Sequence, residues 1–178
     1  MNKILIDYGD MPRMPLTLSS EERSKLIQQY ADGPELLKAA WDAVPEEARK
    51  WRPSETAWSA HEIVVHCADS ETFAATRIRL LISDPNPIIV GYDQDEWVDI
   101  FRYQDRSVEL AFDTIRAVRA NTVPVILAMP DAAWQATGSH TQSGRITAED
   151  WLRSYGVHLH EHTAQIEANI QAFEESTE

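Results

Sequence analysis

The sequence predicts an all-α protein, an antiparallel four-helix bundle that follows an extended N-terminal arm.

 Three observations favour this fold class. Apolar residues recur at spacings of three and four, no segment alternates strictly between apolar and polar residues, and four segments of roughly 20–28 residues lie between helix caps or breakers. The 178 residues fit one domain, which we place at residues 18–178 after an arm at residues 1–17.

The first predicted helix begins directly after the arm. The pattern at Ser19–Glu22 is typical of a capping box and opens a helix that extends to Tyr30. Gly33 and Pro34 interrupt it, and Pro34 suits the first turn of a renewed helix that continues to about Ala43. We therefore expect the first helical unit to be kinked.

The second predicted helix follows a loop at residues 45–57. Ser59 has the position of an N-cap, and the helix reaches Ile82. Its inward stripe, at helical spacing, consists of Ile63, His66, Ser70, Phe73, Arg77 and Leu80. The pattern therefore predicts that His66 faces the interior of the bundle.

The third predicted helix extends from about Asp105 to Ala128, and Pro124 should kink it or end it early. Irregular structure is expected before it, up to Trp97, and in a loop at residues 131–144. The fourth helix begins near Thr147, with acidic residues in its first turn. Its inward stripe consists of Leu152, Tyr155, Leu159, His162, Ile166, Ile170 and Phe173.

Composition narrows the class of partner. The formal net charge of −13 disfavours nucleic acid and anionic lipid, so a small-molecule partner is expected. The single cysteine, Cys67, cannot form an internal disulfide. No apolar run approaches the ~18 residues of a membrane span, and the N-terminus has no secretion-signal pattern. These features predict a cytoplasmic protein without a membrane segment.

Two histidines on the fourth predicted helix indicate a metal site. His158 and His162 are one helical turn apart, about 40° around the axis and about 6 Å along it, which is close enough to share an ion. His66 offers a third imidazole from the second helix. Three imidazoles suit Zn, Ni, Cu or Fe(II) and leave a coordination position for water or substrate. The competing interpretation is that each inward histidine is a hydrogen-bonded core residue.

The other histidines are weaker candidates. His160 should face solvent, and His61 is too far around its helix from His66 to chelate the same ion. His140 lies in a loop and could approach a site. Asp69 could orient a ligand or be an ordinary surface charge. A carboxylate-bridged di-iron site is excluded, because no histidine has an acidic residue three positions before it.

Two further residues lie close to the candidate ligands along the chain. Gln165 lies on the same stripe as His158 and could form a hydrogen bond near the site. Cys67 points about 100° away from His66, so we do not expect it to act as a nucleophile or ligand.

The order and spacing of these residues resemble the DinB/YfiT-like superfamily of metal-dependent enzymes. The resemblance spans roughly residues 18–174 and is carried by Trp58-Ser59, His66, Asp69-Ser70, Tyr155, His158, His162 and Ile166. It implies a four-helix bundle, commonly a homodimer, that binds a divalent ion, zinc or nickel, through His66, His158 and His162. Close relatives in the hydrolase-like branch often carry histidine where this chain has Glu161 and Gln165.

The resemblance also implies an activity. Family members include thiol S-transferases that use bacillithiol and a mycothiol-dependent isomerase, and others are named metal-dependent hydrolases. Our first hypothesis is an enzyme that activates a low-molecular-weight thiol for transfer to an electrophile. The alternatives are a metal-dependent hydrolase, a non-catalytic metal- or ligand-binding stress protein with a fourth ligand from His140 or Asp69, and a bundle whose histidines only pack.

Overall fold

The computed structural model describes residues 17–177, which contain five α-helices and three short strands. The helices are α1 (Ser20–Asp42), α2 (Ala60–Ser83), α3 (Gln94–Ile100), α4 (Val108–Leu127) and α5 (Ala148–Thr177). The strands are β1 (Ile88–Ile89), β2 (Thr137–His140) and β3 (Gly144–Thr147). The four long helices form a bundle, so the predicted all-α four-helix bundle is confirmed. Its helix directions differ from the prediction, because two neighbouring pairs are parallel rather than antiparallel. The predicted arm lies outside the described residues except for Thr17, and its division from the domain stays a prediction.

The bundle has two pairs of parallel helices. Helices α1 and α2 each pack mainly against α4 and α5, so α1 and α2 lie across the diagonal. Arg23 near the start of α1 contacts Glu149 at the start of α5, and Gly33 further along α1 faces Leu159, so α1 and α5 run in the same direction. Helices α2 and α4 also share a direction, because their contacts advance together along both helices. This requires a long return connection between them. Residues 84–107, with β1 and α3, make that connection.

Capping interactions fix where the helices begin. Ser19 and Ser59 each form a capping box with the glutamate three residues later, Glu22 and Glu62, as the sequence predicts for the first helix. At α5, the Thr147 hydroxyl accepts a hydrogen bond from the Asp150 N–H while the Asp150 carboxylate accepts one from the Thr147 N–H. The start of each of these helices therefore depends on local hydrogen bonds rather than on distant packing.

The predicted interruption at Gly33 and Pro34 is wrong, because α1 continues through both residues. Pro34 has no N–H to donate to the carbonyl of Tyr30, which lies four residues earlier. The buried guanidinium of Arg119, on α4, donates to that carbonyl instead, with Nη1 2.5 Å from the oxygen. A long-range hydrogen bond thus replaces the one that the proline removes from the helix. Pro124 likewise lies inside α4, which extends to Leu127.

The Arg119 side chain contacts all four long helices. It extends from α4 and donates to Glu71 of α2 at 2.6 Å, to the Tyr30 carbonyl of α1 and to the Tyr155 carbonyl of α5 at 3.2 Å. Arg119 is 1% exposed and the Glu71 side chain is fully buried. Gly33 makes room for this group, since a Cβ there would lie 2.6 Å from Nη1 of Arg119.

The second half of the predicted α2 stripe is also wrong. Leu80 is exposed, and the core contains Ala74, Ile78 and Leu81 instead. The predicted inward residue Phe73 packs against the ring of Trp97, and Arg77 lies over the ring of Tyr92. These side chains pack against the connection between α2 and α4, and Arg77 also reaches Tyr155 of α5, so both lie at the edge of the bundle core.

The connections contain regular structure that the sequence analysis did not predict. Strands β1 and β2 pair in parallel and β2 and β3 pair antiparallel, which gives a three-stranded sheet in the order β1-β2-β3. Helix α3 occupies part of the stretch expected to be irregular. None of the helices within residues 17–177 is both long and apolar enough to cross a membrane.

The close approach at Gly33 predicts an unusual effect of alanine. Gly33→Ala should lower the free energy of unfolding by about 1–3 kcal/mol, because the added Cβ displaces Arg119 or Leu159. At an exposed helical position the same change stabilises by about 1 kcal/mol. Urea unfolding followed by circular dichroism measures the difference. The exposed α1 variant Ser24→Ala is the control, and an increase in stability for Gly33→Ala would contradict this account.

Candidate metal centre

Three histidines from two helices converge on one point. His66 extends from α2, and His158 and His162 extend from α5. One ring nitrogen of each lies within 4.8 Å of the other two. The Nε2 atoms of His158 and His162 are 3.2 Å apart. The structure therefore brings together the three residues that the sequence analysis singled out, in an arrangement that one ion could bridge.

His66 is the member whose surroundings fit a metal ion most closely. It is 1% exposed, and neither of its ring nitrogens has a hydrogen-bond partner among the described residues. A buried polar atom without a partner costs about 1–3 kcal/mol. Burial and the neighbouring His162 and His158 lower the pKa of His66 well below its usual value. His66 is thus neutral near pH 7, which is the form that ligates a metal.

His162 is oriented by Gln165. The Nδ1 atom of His162 is 2.9 Å from the amide oxygen of Gln165, so Nδ1–H donates this bond and the lone pair lies on Nε2. Burial and then His158 lower the pKa of His162 to about 3. The contact considered for Gln165 in the sequence analysis is therefore present, and it directs Nε2 of His162 toward His158.

His158 is backed by a carboxylate that the sequence analysis missed. The Nδ1 atom of His158 is 3.6 Å from Oε1 of Glu71, the oxygen that also accepts from Arg119. Burial opposes ionisation of Glu71, but the Arg119 charge and the contact with His158 keep its pKa below the usual value. The contact is longer than a hydrogen bond, so the carboxylate acts on the His158 ring through its charge, as an outer partner of a ligating histidine.

A signal for this pair was available in the sequence. Glu71 lies on the same helical face as Ala74 and Ile78, and Arg119 shares a face with Ile115 and Ile126. An acidic and a basic residue, each within an apolar stripe, indicate a buried ion pair. The predicted inward stripe of α2 instead followed the adjacent face, through Ser70 and Phe73, and so left Glu71 out.

Other candidate residues lie away from the three histidines. Asp69 forms two hydrogen bonds with Arg106, at 2.6 and 2.8 Å, so its carboxylate is occupied elsewhere. His61 contacts the Arg106 carbonyl through Nε2. The prediction that His160 faces solvent is wrong, because its Nε2 lies 3.0 Å from the Gln29 carbonyl of α1. Burial raises the pKa of Cys67, in agreement with its exclusion as a nucleophile.

A cavity of about 390 Å³ lies beside the site and is bordered by His158. His140 also lines it, but its Nδ1 accepts hydrogen bonds from the N–H groups of Gln142 and Ser143. The ring proton of His140 is therefore on Nε2 when the residue is neutral. Burial and then the charge of Arg77 lower the pKa of His140. His140 is not part of the group of converging nitrogens.

The chain is similar to a family of proteins and to relatives that are named as metal-dependent hydrolases. The family model described as the DinB superfamily matches residues 29–166. A protein from Oceanobacillus iheyensis named "Putative metal-dependent hydrolase" is 26% identical over 140 residues, which cover 79% of this chain and 81% of that protein. The protein from Bacillus subtilis named "Putative metal-dependent hydrolase YfiT" is 25% identical over 153 residues, 84% of this chain and 85% of that protein.

A solved structure supports the fold. YfiT from Bacillus subtilis, described as having an unusual four-helix bundle topology, matches with a TM-score of 0.83 at 22% identity, over 92% of this chain and 93% of that chain. The similarity agrees with the parallel helix pairs described above. At this identity the comparison bears on the fold alone.

The carboxylate behind His158 predicts an effect on metal affinity. Glu71→Gln should weaken binding of zinc by about 10–100-fold, because the ring of His158 loses its charged partner. Competition with a chromogenic chelator measures the affinity, and circular dichroism checks the fold. Glu62→Gln is the matched control, since Glu62 is another fully buried carboxylate of α2. Equal affinities in the two variants would show that Glu71 does not act on the site.

Proposed function

The chain belongs to the DinB superfamily, and from that premise we propose that it is a metal-dependent enzyme in which His66, His158 and His162 bind one divalent ion. The observation that carries the proposal is the environment of His66. Two unpartnered ring nitrogens are buried beside two further imidazoles whose Nε2 atoms are 3.2 Å apart. An ion shared by the three rings would bind one nitrogen of each and so satisfy one of the two unpartnered nitrogens of His66.

The ligand set favours zinc or nickel. Neutral imidazole suits both ions, and three protein ligands leave a position for water or substrate. Asp69 is paired with Arg106 and Nδ1 of His140 is occupied by its own turn, so neither supports a fourth protein ligand. This favours an open, catalytic site over the closed site of a non-catalytic metal- or ligand-binding protein.

The reaction we propose first is transfer of a low-molecular-weight thiol to an electrophile. A divalent ion at the site would lower the pKa of a bound thiol or water and so supply a nucleophile at neutral pH. The sulfur would form a bond to the electrophilic carbon, the leaving group would depart with the bonding electrons, and the thiol proton would pass to solvent. Glu71 and Gln165 would hold the rings of His158 and His162, and the adjacent cavity has a volume suited to a small molecule.

Hydrolysis is the second candidate. The relatives from Oceanobacillus iheyensis and Bacillus subtilis are both named as metal-dependent hydrolases. The same three histidines would serve this reaction with water as the nucleophile. Assembly as a homodimer also belongs to the proposal, on the strength of the family resemblance, as does the cytoplasmic location expected from the sequence.

Thiol transfer is tested with protein loaded with zinc or nickel. Incubation with a cellular thiol and a haloaromatic electrophile should produce the thioether faster than the protein-free control, as measured by liquid chromatography. His162→Ala should lose this activity because it removes a ligand, whereas His160→Ala should retain it because His160 faces α1. The absence of thioether above the control with every cellular thiol tried would contradict thiol transfer.

Hydrolysis requires a separate assay of the same preparations. If water is the nucleophile, a panel of ester and amide substrates should be cleaved by the metal-loaded parent and by His160→Ala, and His162→Ala should be inactive. Cleavage without thioether formation would replace the first reaction by the second. Metal binding without turnover in either assay would leave a non-catalytic metal-binding protein.

A further inference from the structure

The cavity beside the histidines contains a single basic side chain of the lysine or arginine type. Among the described residues that line it, Arg77 is the only one of that kind, and Asp150 is the only acidic one. The carboxylate of Asp150 accepts two hydrogen bonds from Thr147, both of 2.9 Å, and caps α5. The charged group with donors to spare in this cavity is therefore Arg77.

Arg77 is held in place without a carboxylate partner. Its Nη1 donates to the Tyr155 hydroxyl at 2.8 Å and its Nη2 donates to the Val90 carbonyl at 2.7 Å. The rings of Phe73 and Tyr92 lie 5.5 and 5.6 Å from the guanidinium carbon. None of the ion pairs formed within residues 17–177 involves Arg77. These neutral contacts fix the guanidinium and leave its charge uncompensated.

An uncompensated, half-buried cation in a cavity favours an anionic ligand. A guanidinium has five N–H donors in a fork that matches a carboxylate or phosphate, and the two bonds above use only two of them. The Nε atom of Arg77 is buried without a partner. Arg119, which is also buried, has the carboxylate of Glu71 as its partner. The anionic group of a ligand would pair with Arg77 as the Glu71 carboxylate pairs with Arg119.

Tyr155 places Arg77 within reach of the histidine site. Its hydroxyl contacts Arg77, and its ring centroid lies 5.6 Å from that of His158. Both Arg77 and His158 line the same cavity of about 390 Å³. One small molecule could therefore contact Arg77 at one end and approach the three histidines at the other.

We propose that this cavity binds the anionic group, a carboxylate or phosphate, of a small substrate through Arg77, with the reactive end of the substrate toward His158. The inference rests on the proposed function, because it assumes that the histidine site is where the substrate reacts. The chain has a formal net charge of −13, so its overall field would not attract an anion. A local guanidinium is the feature that would retain one.

The test uses the metal-free protein, so that its result does not depend on metal binding. Malonate and inorganic phosphate, as probes of the two anion types, are titrated calorimetrically at low ionic strength into the parent, Arg77→Met and Arg79→Met. Arg79→Met is the matched control, because it removes the same charge from the same helix. The Arg79 side chain contacts Asn121 and does not line the cavity. At least one probe should bind the parent and Arg79→Met with similar affinity. The same probe should bind Arg77→Met about tenfold more weakly or not at all.

A second variant covers the case in which Arg77→Met fails to fold. Ser154 is an exposed residue of the cavity lining, so Ser154→Trp should block the cavity without removing a contact of Arg77. Binding of the probes should then be lost. Equal binding by Arg77→Met and the parent, unchanged binding by Ser154→Trp, or no binding of either probe to the parent would overturn the inference. A parent protein that binds the anion but, in a separate loading experiment, binds no metal ion would instead count against the proposed function.

Discussion

The buried ion pair between Arg119 and Glu71 is the interaction on which the rest of the structure depends. Arg119 joins α4 to the other three long helices, and Glu71 holds its charge in the core. Burying such a pair costs several kcal/mol in desolvation, so it is weak evidence for stability in itself. Its structural consequence is specific, because the pair fixes how the helices are rotated relative to one another and allows α1 to continue through Pro34.

The same pair connects the core to the histidine site. Glu71 uses one carboxylate oxygen for both Arg119 and His158, so the position of the His158 ring depends on the packing of α4. Gln165 orients His162 from within α5, and His66 has no protein partner for its nitrogens. A hydrogen bond thus orients the His162 ring, Nδ1 of His158 has only the longer contact with Glu71, and the His66 nitrogens are left for a ligand.

Much of this could be predicted from the sequence, since caps and helical spacing are local signals. Period and capping predict the long helices, and the spacing of His158 and His162 predicts their convergence. The rest depends on distant contacts. The proline rule predicts a break in α1 because it cannot include the hydrogen bond from Arg119, and the helical angle of His160 does not reveal that α1 packs on that side. Strands of two to four residues are too short to show alternation.

The most direct test of the central claim is the metal content of untagged protein, determined by elemental analysis after loading with zinc or nickel and removal of the excess. The account predicts about one ion per chain, lost in His66→Ala, His158→Ala and His162→Ala. His61→Ala is the matched control because His61 is also a buried histidine of α2, and it should retain the ion. No bound ion in the parent, or the same content in His66→Ala and the parent, would contradict the account.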